Sequence, residues 1–128
     1  MNIKIISRIF IFLLLLLSGN RIYAEETNIN LTIRNGDNII YQNQILFPEE
    51  GEKELLGHTI NKRSVLSILD DADILSEDFS ISNLVYYDSF GSFYLKCITS
   101  TMGENCDNWQ YVVNNIYPGI SIDQKILS

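Results

Sequence analysis

The stretch FYLKCITSTMGENCDNWQYVVN, residues 93–114, places two cysteines nine positions apart between two segments with the pattern of β-strands. It could be a metal site, a reactive thiol centre or a stapled hairpin. A zinc site needs about four protein ligands, and the chain offers two cysteines and the single His58 far upstream. A thiol nucleophile needs a neighbouring base and a reducing compartment. Since an even cysteine pair in an exported domain is typical of a disulfide, we predict a Cys97–Cys106 bond.

Export is indicated by the first 24 residues, which have the pattern of a secretory signal peptide. Lys4 and Arg8 precede the uninterrupted apolar run 9–17, and Ala24 ends a suitable cleavage site. The run is much shorter than the roughly 20 residues that span a bilayer. We therefore predict a signal peptide over residues 1–24, one secreted, cell-surface or periplasmic domain over 25–128, and membrane contact only through an uncleaved signal peptide.

The mature chain is strongly acidic. Without residues 1–24 it has six basic and sixteen acidic residues, a net charge of −10. Binding to nucleic acids depends on clustered Lys and Arg, so no nucleic-acid partner is expected. The same charge argues against adsorption to anionic lipid.

Working toward the N-terminus, an opening β-hairpin is predicted. Apolar and polar residues alternate over 29–34, the period of a half-buried strand, and Asn35-Gly36 favours a tight turn into a return strand over 39–47. Residues 48–57, with Pro, two Gly and four Glu, indicate an exposed loop or a charged edge segment.

One helix follows, because apolar residues recur at helical spacing between residues 62 and 75. Asn61 or Ser64 could cap its start. After Ile81 the pattern returns to strands. The order β-β-α-β-β-β predicts an α+β domain of the β-grasp kind, with a mixed sheet of about five strands and the helix packed on one face.

Strand register in the opening stretch follows the apolar face that is buried. A register that puts Phe93 and Leu95 on the same face as Trp109 and Tyr111 gives one apolar face, and it leaves Cys106 in the loop or at a bulge outside the ladder. Trp109 and Tyr111 are then expected to face the core more than a ligand.

The other residues that could carry chemistry are predicted to lie on the solvated surface. Asp70, Asp71 and Asp73 have helical spacing and lack the pattern of a calcium loop. The glutamates of 48–57 lie on a charged segment, which does not fix a carboxylate pair, and His58 lacks a nucleophile context. We expect neither catalytic residues nor a metal site.

Three segments resemble the transcobalamin C-terminal-like domain family, a group of exported bacterial domains related to the smaller domain of vitamin B12 carriers. They are SVLSILDDAD (64–73), FSISNLVYYDSFGSFYLKCI (79–98) and CDNWQYVVNN (106–115). The most specific part is the run formed by Trp109, Tyr111, Val113 and Asn114.

The resemblance implies a β-grasp-like module that binds a ligand or partner outside the cytoplasm and has no catalytic residues. In the vitamin carriers this domain closes over cobalamin together with a helical domain, which this chain lacks, so no resident cofactor is expected. Family members continue past a segment like GISIDQKILS (119–128) into a closing strand. We therefore expect that the sheet lacks this edge strand or that the sequence is truncated at its C-terminus.

The resulting prediction is a secreted, disulfide-stapled, non-catalytic binding module of unknown ligand. The alternative is a structural or adhesive envelope module that recognises protein or polysaccharide through surface or sheet-edge contacts, and the third is cobalamin binding with a partner domain. The candidate surface is aromatic and consists of Tyr86, Tyr87, Phe90 and Tyr94. A concave pocket beside it would favour a ligand, and a flat surface with a bare sheet edge would favour assembly.

Overall fold

A computed structural model of the chain describes residues 27–128, and the predicted signal peptide over 1–24 lies outside the described residues. The described part contains seven strands and one helix, which confirms the predicted α+β class. The elements are β1 (Asn28–Asn35), β2 (Asn38–Leu46), β3 (Glu52–Leu55), β4 (His58–Asn61), α1 (Val65–Leu75), β5 (Phe79–Tyr87), β6 (Ser92–Ser100) and β7 (Gly103–Cys106).

The strands form three small antiparallel sheets, not one mixed sheet of about five strands. β1 pairs with β2, β3 with β4, and β5, β6 and β7 form the third sheet in that order. Every pairing joins strands that follow each other in the chain, so each sheet is a local hairpin or meander. Tight turns allow such pairing, because a short loop brings consecutive strands side by side.

The first hairpin is confirmed, but its two-residue turn is Gly36-Asp37, one position after the predicted Asn35-Gly36. Of the two alternatives for 48–57, the exposed loop is wrong and the charged edge segment agrees with the structure, because residues 52–55 form β3 and pair with β4. The turn between them is Leu56-Gly57, where both residues have positive φ (48° and 78°), as in a type I′ hairpin. The high charge of this segment hides its strand pattern, since the glutamates point to solvent.

Helix α1 confirms the helix that the apolar spacing predicts, and the structure shows which residue caps its start. Ser64 Oγ accepts a hydrogen bond from the Ser67 N–H at 3.1 Å, so Ser64 is the N-cap. The helix buries Leu66, Leu69 and Ala72 against the sheets. These side chains lie on one face because they are three or four residues apart.

The acidic cluster on α1 is not only solvated. Lys53 of β3 donates to Asp70 Oδ2 at 2.7 Å and to Asp71 Oδ1 at 2.9 Å, and it joins the helix to the β3–β4 hairpin. Burial alone would lower the pKa of Lys53, but hydrogen bonds and charge attraction from both carboxylates raise it above its ordinary value.

The apolar core has members from α1, from all three sheets and from the C-terminal segment, residues 107–128. Its buried members are Ile33, Tyr41, Ile45, Ile60, Leu66, Ile68, Leu69, Ala72, Phe79, Phe93, Ile98 and Ile122. Within residues 27–128 no helix is long and apolar enough to cross a membrane.

The C-terminal segment is held at the start of α1. The N–H groups of Val65 and Leu66 donate to the carbonyls of Lys125 and Ile122, each at 3.0 Å. These N–H groups belong to the first helical turn, which has no carbonyl partners within the helix itself. The segment therefore completes the helix end and is fixed in place by it.

The strand pattern at the end of the opening stretch, NWQYVVN over residues 108–114, does not form a strand. Asp107 and Asn108 both have positive φ (63° and 58°), and β7 ends at Cys106. The chain therefore leaves the sheet just before Trp109. Further on, Val113 makes an isolated bridge with Ile116 around a turn at 114–115.

Candidate functional site

The disulfide between Cys97 and Cys106 is confirmed, and its predicted position is wrong. The two cysteines are directly paired in the β6–β7 ladder, with Cα atoms 4.1 Å apart. The two-residue turn between Ser100 and Gly103 sets this register. Trp109 has no influence on it because the chain has already left the sheet. Cys97, Glu104 and Cys106 do lie together, but sulfurs bonded to each other are not the thiolates that bind metals.

The described residues form a groove of about 830 Å³. One wall is formed by residues 31–34 of β1 and another by residues 92–95 of β6. The C-terminal segment supplies the third wall, and Val65 and Leu69 of α1 line the groove from the helix. The groove is thus a gap between two sheets that the helix and the C-terminal segment hold apart.

Aromatic rings dominate the lining. Seven of them line the groove: Tyr87, Phe90, Phe93, Tyr94, Trp109, Tyr111 and Tyr117. The ring of Tyr87 lies 6.3 Å from those of both Phe90 and Tyr94, within the range of aromatic pairs. Phe90 is 76% exposed and Tyr117 63% exposed, so large apolar rings face solvent at the groove.

Three of the four residues in the predicted aromatic surface come together in the groove, and Tyr86 does not. Tyr86 stacks on His58, with ring centroids 3.5 Å apart and planes 18° from parallel. It also meets Phe93 edge to face. Consecutive residues of a strand face opposite sides, which separates Tyr86 from Tyr87. His58 and Tyr86 therefore join the β3–β4 hairpin to the third sheet.

Trp109 and Tyr111 pack against the core and also line the groove. Trp109 Nε1–H donates to the carbonyl of Asn105 at 3.0 Å, and the Tyr111 hydroxyl donates to the carbonyl of Ile120 at 2.6 Å. Burial raises the pKa of the Tyr111 hydroxyl, with smaller contributions from Tyr117 and Asp123. These hydrogen bonds of Trp109 and Tyr111 therefore hold the C-terminal segment in place. Val113 and Asn114, the other two members of the motif, do not line the groove.

The groove differs from the rest of the protein in charge. Among the described lining residues none is acidic, and Arg34 is the single charged side chain. Arg34 forms no ion pair with any residue of 27–128. The polar lining is neutral and includes the amides of Gln110 and Gln124. In a chain with sixteen acidic residues, this lining suits a neutral ligand or one with a single negative group.

Sequence reasoning missed the part of the groove that comes from residues 117–124. Tyr117 and Ile120 flank a Pro-Gly pair, and both are exposed. The sequence signal that could have indicated this part of the groove is the presence of apolar side chains beside a turn, because loop tips are usually polar. The segment is held at the groove by Ser121 Oγ, which donates to Ser92 Oγ at 2.9 Å.

Arg34 was also missed, because the strand pattern marks its outward side chain only as polar. Nothing local to β1 indicates that β6 and the C-terminal segment lie across from it. Comparisons with protein-family models, with curated proteins and with solved structures found no match to this chain.

Proposed function

We propose that the mature chain is an exported, disulfide-stapled binding module of the transcobalamin-tail, β-grasp-like type, which takes its ligand in the aromatic groove. The groove itself is the observation that carries the proposal. Its volume of about 830 Å³ is typical of ligand sites, which are concave, mostly apolar and supplied with a few polar groups. Exposure of an apolar ring such as that of Phe90 to water is unfavourable. A ligand that covers the ring removes this surface from water, which favours binding.

The module is proposed to be non-catalytic. The described lining residues include serines but no His, Asp or Glu that could act as a general base. His58 is stacked on Tyr86 outside the groove, and Asp70 and Asp71 bind Lys53. These contacts give the side chains structural roles and support binding as the activity.

A second candidate is an envelope module that recognises protein or polysaccharide at a sheet edge. The observation that favours it is that β1 pairs only with β2 among the described residues, which leaves the other edge of β1 unpaired. Both candidates place binding in the same region of the protein, because residues 31–34 of β1 line the groove. Cobalamin remains a third candidate that would require a partner domain.

Trp109 provides a direct test, because it is the only tryptophan of the chain and lines the groove. We expect its fluorescence to change in a saturable way when envelope oligosaccharides, peptides or cobalamin are titrated as separate probes and one of them binds. Phe90→Ala should weaken that binding about tenfold, the loss of a well-packed aromatic contact.

Ile74→Ala is the matched control, because Ile74 is an exposed apolar residue that lies outside the groove. It should bind like the unmodified chain. A ligand that binds the Phe90→Ala variant with unchanged affinity and leaves the Trp109 emission unchanged would place the binding site elsewhere and contradict the proposal.

A further inference from the structure

The groove contacts two strands along their edges. It is lined by four consecutive residues of β1, 31–34, and by four consecutive residues of β6, 92–95. Successive side chains of a strand point to opposite faces. A cavity that touches four residues in a row therefore reaches the backbone edge of the strand and not only one face.

The edge of β1 at the groove has backbone groups that pair with no strand in the described part of the chain. Phe47 N–H donates to the Thr27 carbonyl at 2.8 Å, which sets the phase of the β1–β2 ladder. Hydrogen-bonded pairs alternate in an antiparallel ladder, so Ile29 and Leu31 direct their backbone groups to β2. Asn30 and Thr32 direct theirs to the opposite edge, which pairs with no strand among residues 27–128. Thr32 lies in the groove and Asn30 lies outside it.

The facing edge of β6 is only partly free. Among residues 27–128, β7 pairs with residues 97–100 of β6 only, so residues 92–95 have no strand on that side. The Phe93 N–H is already used, since it donates to Asp123 Oδ1 at 3.1 Å. A side-chain oxygen thus occupies the position that a carbonyl of a neighbouring strand would take.

We propose that the groove binds an extended polypeptide segment of about four residues, which adds as a strand to the free edge of β1 and faces β6 across the groove. This inference rests on the proposed function, since it names the ligand class of the same groove. Four residues of strand span about 13 Å, which matches the four lining residues on each side. Main-chain hydrogen bonds would supply affinity, as in other cases of strand addition.

The lining also defines the side chains of the peptide. Aromatic and aliphatic walls favour β-branched and aromatic residues, which are the best strand formers. The described lining offers no carboxylate to pair with Lys or Arg, and Arg34 repels them. We therefore infer a segment without basic residues. A glycan would stack on the rings but would not match the backbone edge of β1.

A displayed library of random octapeptides, selected on the mature chain, tests the proposal. We expect enrichment of apolar, β-branched peptides without Lys or Arg. Thr32→Pro removes the edge N–H inside the groove and should weaken the enriched peptides about fivefold to tenfold, the effect of one or two hydrogen bonds. Asn30→Pro removes the equivalent N–H outside the groove and should leave the affinity unchanged. Circular dichroism and thermal unfolding establish that both variants fold.

A second measurement does not depend on either variant. N-methylation of a central residue of an enriched peptide should lower its affinity about tenfold, whereas N-methylation of its first residue should not. Absence of enrichment, or equal affinity for the Thr32→Pro and Asn30→Pro variants together with tolerance of central methylation, would overturn strand addition.

The outcomes separate this inference from the proposed function. If an oligosaccharide or cobalamin changes the Trp109 emission and no peptide is enriched, the groove is a ligand site and strand addition is wrong. If peptides bind with unchanged affinity to the Phe90→Ala variant and leave the Trp109 emission unchanged, they bind outside the groove, and both proposals are wrong.

Discussion

Several residues of this protein have a left-handed backbone, and all but one are of a type that tolerates it. Outside glycine these residues are Leu56, Asp107, Asn108, Asn114 and Asn115. Asn and Asp adopt positive φ at low cost, whereas Leu pays a steric penalty of about 1–2 kcal/mol. Leu56 is 67% exposed, so it gains little from burial in return. The β3–β4 turn therefore has a residue that its conformation does not favour.

We predict that Leu56→Asn stabilises the protein by about 0.5–1 kcal/mol, because Asn-Gly is the preferred pair of a type I′ turn. Urea unfolding measures the change. Leu56→Ala is the control: it also removes an exposed apolar side chain but does not gain tolerance of positive φ, so it should not stabilise. Equal effects of both substitutions would show that exposure and not backbone conformation governs this position.

Tyr111 predicts a loss of stability at alkaline pH. Its pKa is raised in the folded protein, mainly by burial, so folding favours the protonated phenol. The resulting stabilisation of the folded protein is fully present below the ordinary tyrosine pKa near 10. It is lost as the pH rises through the raised pKa of Tyr111 in the folded protein. Urea unfolding of the unmodified chain and of Tyr111→Phe at neutral and alkaline pH measures it. The unmodified chain should lose more stability than the variant, and parallel losses would contradict the assignment.

At the scale of elements, the sequence predicts structure that depends on neighbouring residues, but it does not predict which distant strands pair. The helix was predictable because its apolar spacing and Ser64 cap lie within one segment. A charged edge segment was one of two alternatives for β3, but its pairing with β4 was not predicted, because the glutamates obscured the alternation of β3. The strand expected over 108–114 was wrong because an alternating pattern requires a partner edge, and the turn at Asp107-Asn108 directs the chain away from β6.

The β6–β7 hairpin depends on its disulfide. β7 has four residues and packs little apolar surface, since most of it is exposed. Closing a loop of nine residues stabilises a fold by about 2–3 kcal/mol through the unfolded chain.

We predict that replacing both Cys97 and Cys106 with Ala lowers the free energy of unfolding by this amount, as measured in urea. Reduction of the unmodified chain is the matched control and should give a similar loss. Thiol titration of denatured, unreduced protein should find no free cysteine. Two free thiols would contradict the staple.

At the scale of the molecule, the functional hypothesis follows from how the three sheets are arranged. The sheets remain separate among the described residues, and the aromatic groove lies where β1 and β6 face each other without pairing. Tyr87, Phe90 and Tyr94 could be chosen from the sequence as exposed aromatics in one segment. Arg34 and the residues of 117–124 could not, because only the tertiary structure brings them to the same groove.

The central claim is that this groove is the binding surface, and mapping of amide chemical shifts by NMR with an enriched octapeptide tests it most directly. We expect the largest changes at residues 31–34 and 92–95 and at the Trp109 indole N–H, and small changes at the exposed residues 74–75 of α1. Changes concentrated at α1 or at the β3–β4 turn, with the groove unaffected, would contradict the claim.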